Sequence, residues 1–298
     1  MKILGYTVLA CIAAVLAFGC AAGDRQEGQT ARPERTVSFQ DTGSDTLVNL
    51  ALAWAERYMT LHPEVRISVT GGGSGTGIAS LINGTVQIAN ASREMSPEEI
   101  ALPKKNGITP VRFSVALDAI AVVANPGNPV SHLTLRQISD IYTGGVTDWT
   151  AVGGEDRPIV RLSRESNSGT YVYFLEQVIR MGDPKGTALF SPETLLMPSS
   201  EGISTEVRQN PNAIGYDGLG YVTEGQKKIA VGRTADGPFV LPSAASVLDG
   251  SYPVSRPLYM YTAGQPSGPI KDYLDWIVAD GQKLVTDLGF VPLQETPK

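Results

Sequence analysis

The sequence predicts an α/β protein, laid out as two successive sets of strands and helices around mainly parallel sheets. Three observations predict it. Apolar segments alternate between a period of two and a period near 3.6. The one dense breaker run, Asn125-Pro126-Gly127-Asn128-Pro129, divides the pattern. With 298 residues, 42% hydrophobic and 18% charged, the chain can fill more than one core. The elements follow in order. TVSFQ (36–40) alternates Val37 and Phe39 as a strand. Leu47, Leu50, Ala51, Trp54, Tyr58 and Leu61 recur at helical spacing until Pro63 stops the helix. VRISVT (65–70) is a second strand, Ile78 to Ile82 a helix, and VQIANAS (86–92) a third strand. Ser96-Pro97-Glu98-Glu99 is a capping box with proline at the first helical position. This β-α-β-α-β-α order requires crossovers and hence a mainly parallel, three-layer sheet. RFSVALDAIAVVA (112–124) is a long apolar strand, and the second α/β set runs from the breakers to about Gly250. A strand over Pro257–Thr262 and helices over about 269–281 and up to Leu288 close the chain.

Composition removes several function classes. The net charge is −6, with no basic stripe, which excludes a nucleic-acid binder. The cysteines are Cys11 and Cys20, so the chain beyond them has no disulfide scaffold, thiolate zinc site or cysteine nucleophile. Two histidines, His62 and His132, read as surface or capping residues and leave no parts for a histidine metal site. No metal site and no cofactor are expected. Residues 1–19 read as a secretory leader: Lys2, an apolar run from Ile3 to Phe18, then small residues. Cys20 resembles a lipobox cysteine, although Ala17 and Phe18 depart from the usual pattern. Plain cleavage near Ala22 is the alternative. Residues 20–35 then form a lipidated, polar tether.

Three segments share one form, a strand, a turn rich in Gly, Ser and Thr, and a helix. They are Asp41–Thr46, Gly71–Gly77 and Ser166–Thr170. The first N–H groups of a helix have no internal partner and carry partial positive charge, so such turns suit an oxyanion. Ser and Thr also cap helices everywhere, so one turn alone says little. Three turns, with Arg93 and Arg164 nearby, point to an anion site in an acidic protein that must concentrate positive groups locally. Enzyme signatures are missing. The glycine run lacks a P-loop lysine and the G-x-G-x-x-G spacing, and Thr76 stands where a nucleophile elbow needs glycine. Neither histidine lies in a serine-rich turn to activate a nucleophile, so no catalytic residue is assigned. Trp54, Tyr58, Trp149, Tyr171, Tyr173 and Phe174 read as packing residues. Glu98-Glu99 and Lys104-Lys105 read as a solvated helix face.

With these stretches in place, the chain resembles the phosphate-binding proteins of high-affinity phosphate ABC transporters, within the type II periplasmic binding-protein superfamily. TGSDTLVNLALAWAERY, VTGGGSGTGIASLINGTVQIANASREM, LTLRQISDIYTGGVTDW, SRESNSGTYVYF, NPNAIGYDGLGYV and SRPLYMYT carry the resemblance, in the family's order. It implies a two-lobed periplasmic-binding-protein fold with the ligand in the interlobe cleft. Lobe 1 would span 37–119 plus 254–298, and lobe 2 would span 120–253. It implies inorganic phosphate as ligand and ABC permease subunits as partners. The protein would be a monomer held at the membrane by the lipid on Cys20. The implied ligand set is Ser44, Asp45, Thr46, Ser74, Arg93, Arg164, Ser168, Gly169 and Thr170. Some members carry an aspartate where Arg93 stands and a threonine where Asp45 stands, so Asp45 is the expected acceptor for the proton on phosphate. The alternative is that Asp45 caps its helix or pairs with Arg93 or Arg164. Rival readings are a binder of sulfate or molybdate, a secreted phosphoester hydrolase using Ser74 or Ser168, and a sensory or adhesive surface protein.

Overall fold

The computed structural model describes residues 36–105 and 107–293; the leader, Cys20 and the tether lie outside the described residues. The first set runs β1 (Val37–Gly43), α1 (Asp45–Leu61), β2 (Val65–Thr70), α2 (Ser74–Ile82), β3 (Ile88–Ala91), α3 (Pro97–Lys105) and β4 (Val111–Ala124). The second begins β5 (His132–Thr134), α4 (Leu135–Thr143), β6 (Val160–Arg164), α5 (Gly169–Phe174), β7 (Leu195–Met197), α6 (Ser200–Gln209) and β8 (Ala213–Gly218). It ends β9 (Lys227–Lys228), β10 (Ala230–Gly232), β11 (Phe239–Val240) and α7 (Ala244–Leu248). Then β12 (Ser255–Thr262), α8 (Gly268–Val278) and α9 (Gln282–Asp287) close the fold. Among the described residues, no helix is long and apolar enough to cross a membrane.

The main sheet has the order β2-β1-β3-β12-β4-β8-β6-β7, with β9 also paired to β4. Its wings are parallel, β1 with β2 and β3 on one side, β6 with β7 and β8 on the other. Its centre is antiparallel: β12 pairs antiparallel with both β3 and β4, and β4 with β8. The parallel character predicted from the βαβ order therefore holds in each wing. The exception lies where β4 leaves the first set and β12 returns to it. These two strands carry a register shift between Leu258 and Tyr259, a local irregularity of the kind that bends and twists a strand pair.

Two cores flank this centre, and β4 belongs to both. Val115 and Ala116 pack with Leu47, Leu50, Trp54 and Tyr273. Three residues on, Ala119 and Ile120 pack with Ile138, Trp149, Phe174 and Tyr216. Tyr252 and Val254 lie in the second core, whereas Leu258 and Met260 lie in the first, so the chain changes core again at the start of β12. In α1 the periodic face Leu47, Leu50, Ala51, Trp54 and Tyr58 is buried, and the Trp54 indole donates to the Gly281 carbonyl at 2.9 Å. His62 follows α1 and stacks on Tyr58, while His132 meets Phe239 edge-on.

The α3 start is the capping box expected from sequence. Glu99 N–H donates to Ser96 Oγ at 3.2 Å, and Ser96 N–H donates to Glu99 Oε2 at 2.8 Å. One part of that reading is corrected. Glu98 is exposed, but Glu99 is not a solvated residue, because its carboxylate is half-buried against Arg93.

Candidate functional site

All three predicted turns leave the carboxyl ends of parallel strands, β1, β2 and β6, and β3 delivers Ser92 and Arg93 from the same end. Open α/β sheets place ligands at that end because the strand-to-helix turns gather their free N–H groups there. The turns converge on one another. Thr46 Oγ1 lies 2.8 Å from Thr170 Oγ1, although 124 residues separate them. Gly75 N–H donates to the Asn167 carbonyl at 2.9 Å, and Asn167 Nδ2 donates to the Gly72 carbonyl at 2.9 Å. Ser74 Oγ accepts from Ser92 N–H at 3.0 Å and sits 3.2 Å from Ser92 Oγ.

Glycine is required where these turns touch. A Cβ on Gly169 would stand 2.4 Å from Ser74 Oγ and 2.7 Å from Ser92 Oγ. Gly73 has φ of +89°, and a Cβ there would meet the Asn167 carbonyl oxygen at 2.8 Å. The hydroxyls are used unequally. Ser168 Oγ caps α5, accepting from Thr170 N–H at 3.2 Å and Tyr171 N–H at 3.5 Å. Its hydrogen stays available, because accepting leaves a hydroxyl able to donate. Ser44 precedes α1 and is buried, yet makes no side-chain bond to its helix. The α2 N-cap is Gly73, with no side chain to spend.

Each arginine near the site is paired with a carboxylate. Arg164 is 1% exposed, and its Nη2 donates to Asp45 Oδ2 at 2.6 Å. The same guanidinium reaches Ser200 Oγ at 3.1 Å and the Pro198 carbonyl at 3.0 Å. Asp45 Oδ1 accepts from Gly72 N–H at 2.9 Å, tying the first turn to the second. Arg93 makes a two-pronged contact with Glu99, at 2.7 and 2.8 Å. This bond holds the Arg93 guanidinium above its usual range. Burial acts to raise the Glu99 carboxyl, but Arg93 and Ser96 N–H outweigh it and carry it below its ordinary value. Arg256 on β12 is paired with Asp118 on β4, Nη2 to Oδ2 at 3.0 Å. The expected concentration of positive charge is thus sharpened. The site gathers hydrogen-bond donors around paired ions, which avoids the desolvation cost of a lone buried cation.

Of the residues predicted from sequence, Ser44, Asp45, Thr46, Ser74, Arg164, Ser168, Gly169 and Thr170 lie at the three junctions. Arg93 adjoins them, with Nη2 3.9 Å from where a Gly75 Cβ would be, and it lines a cavity of about 580 Å³ with Arg256, Tyr173 and Glu176. Sequence reasoning missed Ser92, Asn167, Asp118, Arg256 and Asp217. A usable signal existed for two of them, since Asp118 and Arg256 are lone charges inside apolar strands and must find a partner. Asp217 is fully buried beside this group. Burial pushes its carboxyl up to about 6, against the pull of Arg164 and of bonds from Ser200 Oγ and Gly218 N–H.

Comparison with known proteins agrees with this geometry. A family model described as a PBP superfamily domain matches residues 29–281. The phosphate-binding protein PstS of Pseudomonas aeruginosa is 34% identical over 274 residues, covering 86% of this chain and 83% of that protein. PstS of Bacillus subtilis is 29% identical, covering 99% of this chain and 96% of that protein. Among solved structures, a candidate phosphate ABC transporter substrate-binding protein from Clostridium perfringens, holding phosphate, superposes with a TM-score of 0.76 and 32% identity. It covers 86% of this chain and 100% of its own. An ABC-type phosphate transport receptor from Vibrio cholerae gives a TM-score of 0.68 at 28% identity, over 86% of this chain and 100% of its own. With a superfamily match over most of its length and a relative this similar across most of both chains, the protein belongs to the PBP superfamily and, within it, to the PstS phosphate-binding proteins.

Proposed function

We propose that the protein captures inorganic phosphate outside the cytoplasm and delivers it to the permease subunits of an ABC transporter. The observation that carries this reading is the convergence of three strand-to-helix turns, with their hydroxyls, on one buried point beside the Arg164–Asp45 pair. Helix-end N–H groups and the hydroxyls of Ser44, Thr46, Ser74, Ser168 and Thr170 surround the phosphate oxygens, and Arg164 and Arg93 supply charge. Asp45 keeps lone pairs beyond its bonds to Arg164 and Gly72, and these accept the proton of P–OH. Sulfate has no such proton and leaves the carboxylate facing an oxygen lone pair.

The lobes are 37–119 with 254–298, and 120–253. The change of core between Ala116 and Ala119 in β4, and again between Val254 and Leu258, supports two lobes that part near these bounds. β4 and β12 form the hinge, and phosphate drives closure by binding the closed form more tightly. Binding needs neither metal nor cofactor, since all its donors are hydroxyl, N–H and guanidinium groups. Cys20 carries the lipid, residues 21–35 are the tether, and the protein works as a monomer. It is not an enzyme: His62 stacks on Tyr58 and His132 meets Phe239, and neither is bonded to Ser74 or Ser168, the serines a hydrolase would activate, among the described residues.

Thermal shift across a panel of anions tests the ligand class. Phosphate is expected to raise the melting temperature at concentrations where sulfate and molybdate do not. A larger shift with sulfate would overturn the choice of anion. Turnover of an aryl phosphate, abolished in Ser74→Ala or Ser168→Ala, would favour the hydrolase.

A further inference from the structure

Arg256 is as heavily hydrogen-bonded as Arg164, with four side-chain bonds. It leaves β12, is 3% exposed, and reaches three other elements. Nε and Nη2 donate to Asp118 Oδ2 on β4 at 3.3 and 3.0 Å. Nη1 donates to the Ser92 carbonyl just beyond β3 at 2.8 Å. Nη2 also donates to Thr170 Oγ1 in α5 at 2.9 Å, and the guanidinium lies over the Tyr173 ring, 5.5 Å from its centroid. Thr170 Oγ1 in turn shares its 2.8 Å hydrogen bond with Thr46 Oγ1.

A guanidinium can only donate, so Thr170 Oγ1 must accept from Arg256. One hydroxyl hydrogen lies between the two threonine oxygens. The pair owns two such hydrogens, so one remains, and neither oxygen has a further partner among the described residues. We propose that Arg256 is a positioning residue for the anion site: by donating to Thr170, it fills an acceptor position of that hydroxyl and fixes its orientation, so that the one hydrogen the Thr46–Thr170 pair keeps free is held as a donor to a deprotonated oxygen of the bound anion. Thr46 lies in the first turn of α1 and Thr170 in the first turn of α5, so the pair forms only where the two walls meet. Arg256 reaches it from β12, which also holds Asp118 on β4. The strands that join the two halves thereby set the polarity of the contact that closes them. The proposal rests on the phosphate-binding reading above.

Calorimetric titration of the full chain with inorganic phosphate tests it through a double-mutant cycle on Arg256→Lys and Thr170→Val. Each single change is expected to weaken phosphate binding about tenfold, and the double change no more than Thr170→Val alone, because without the hydroxyl Arg256 has nothing to orient. The Arg256→Lys loss is expected to be larger at about pH 8 than at about pH 6, because the ligand presents more deprotonated oxygens at the higher pH. Losses that multiply to about a hundredfold in the double variant, or that are equal at both pH values, would assign Arg256 a purely structural role and overturn the proposal. Should Arg256→Lys fail to fold, the neutral pair Asp118→Asn with Arg256→Gln replaces it in the cycle, with the same expectation and the same overturning result. Wild-type protein that takes up no phosphate would overturn the functional reading and this proposal with it. Wild-type binding with multiplicative losses would overturn only the role of Arg256.

Discussion

The two walls of the site are built from the same motif but are stabilised differently. In the first wall, Ser44 leaves α1 without a side-chain cap and the α2 N-cap is Gly73, so neither helix start is capped by a hydroxyl. In the second wall, Ser168 caps its own helix, and the charge stands on Arg164, held by Asp45, Ser200 and two carbonyls. The contrast extends to the buried carboxyls beneath them. Asp217, under the second wall, accepts from Ser200 and Gly218. Asp41, two residues before the first turn's Gly43, has no hydrogen-bond partner for either oxygen among the described residues, and burial pushes its carboxyl up to about 7. The Asn90 Oδ1 and Tyr273 hydroxyl are also unpartnered among the described residues. The carboxyl beneath the first wall is unpartnered at both oxygens among the described residues, whereas the one beneath the second is bonded at Oδ1 and unpartnered at Oδ2 alone.

If this difference holds, variants should separate the walls. The largest effect is expected for Arg164→Met, which removes a donor and strands Asp45, with a loss of ~4 kcal/mol in phosphate binding measured by calorimetry. An Arg164→Met variant that binds like wild type would show that the second wall carries no charge role.

Next in size is Asp41→Asn, read as melting temperature against pH. The folded carboxyl stays neutral up to about 7, while the unfolded one ionises near ~4. In that window unfolding releases a proton, so Asp41 stability is complete below ~4 and falls by up to ~1.4 kcal/mol per pH unit until about 7. Asp41→Asn should melt like wild type in acid and above it at about pH 8. Equal melting at both pH values would mean that the first wall stores no such cost.

Asp45→Asn joins the walls and should erode phosphate-over-sulfate selectivity by ~2 kcal/mol in competition calorimetry. Unchanged selectivity would reduce Asp45 to a partner of Arg164. The smallest effects give the sharpest contrast. Ser44→Ala and Ser168→Ala should each weaken binding by ~1 kcal/mol, but only Ser168→Ala should also lower stability, by ~1 kcal/mol, because it alone is a helix cap. Equal stability losses would erase the distinction between the walls.

Much of this was legible in the sequence because it is local. The α1 face from Leu47 to Tyr58, the Ser96–Glu99 box, the long strand through Val115 and Ile120, and the three turns all follow from spacing within a few residues. Of the pairings, that of Asp45 with Arg164 was offered by the sequence as one alternative among several, and nothing local selected it; the others were not legible. Asp45 and Arg164 stand 119 residues apart, and Asp118 and Arg256 stand 138 apart. Their partnership depends on which sheet edges meet. Arg93 and Glu99 are only six apart, yet the bond was missed because Glu99 also fits a solvated face. The antiparallel centre was hidden for a related reason: β12 inserts between β3 and β4 after the whole second set, and no local pattern encodes an insertion point.

The most direct measurement is titration calorimetry of phosphate-stripped protein with inorganic phosphate, repeated in the presence of excess sulfate. Saturable binding of one phosphate per chain, undisturbed by sulfate, is the expected result. No phosphate heat at any concentration, or displacement of phosphate by sulfate, would contradict the assignment of the converged turns as a phosphate site.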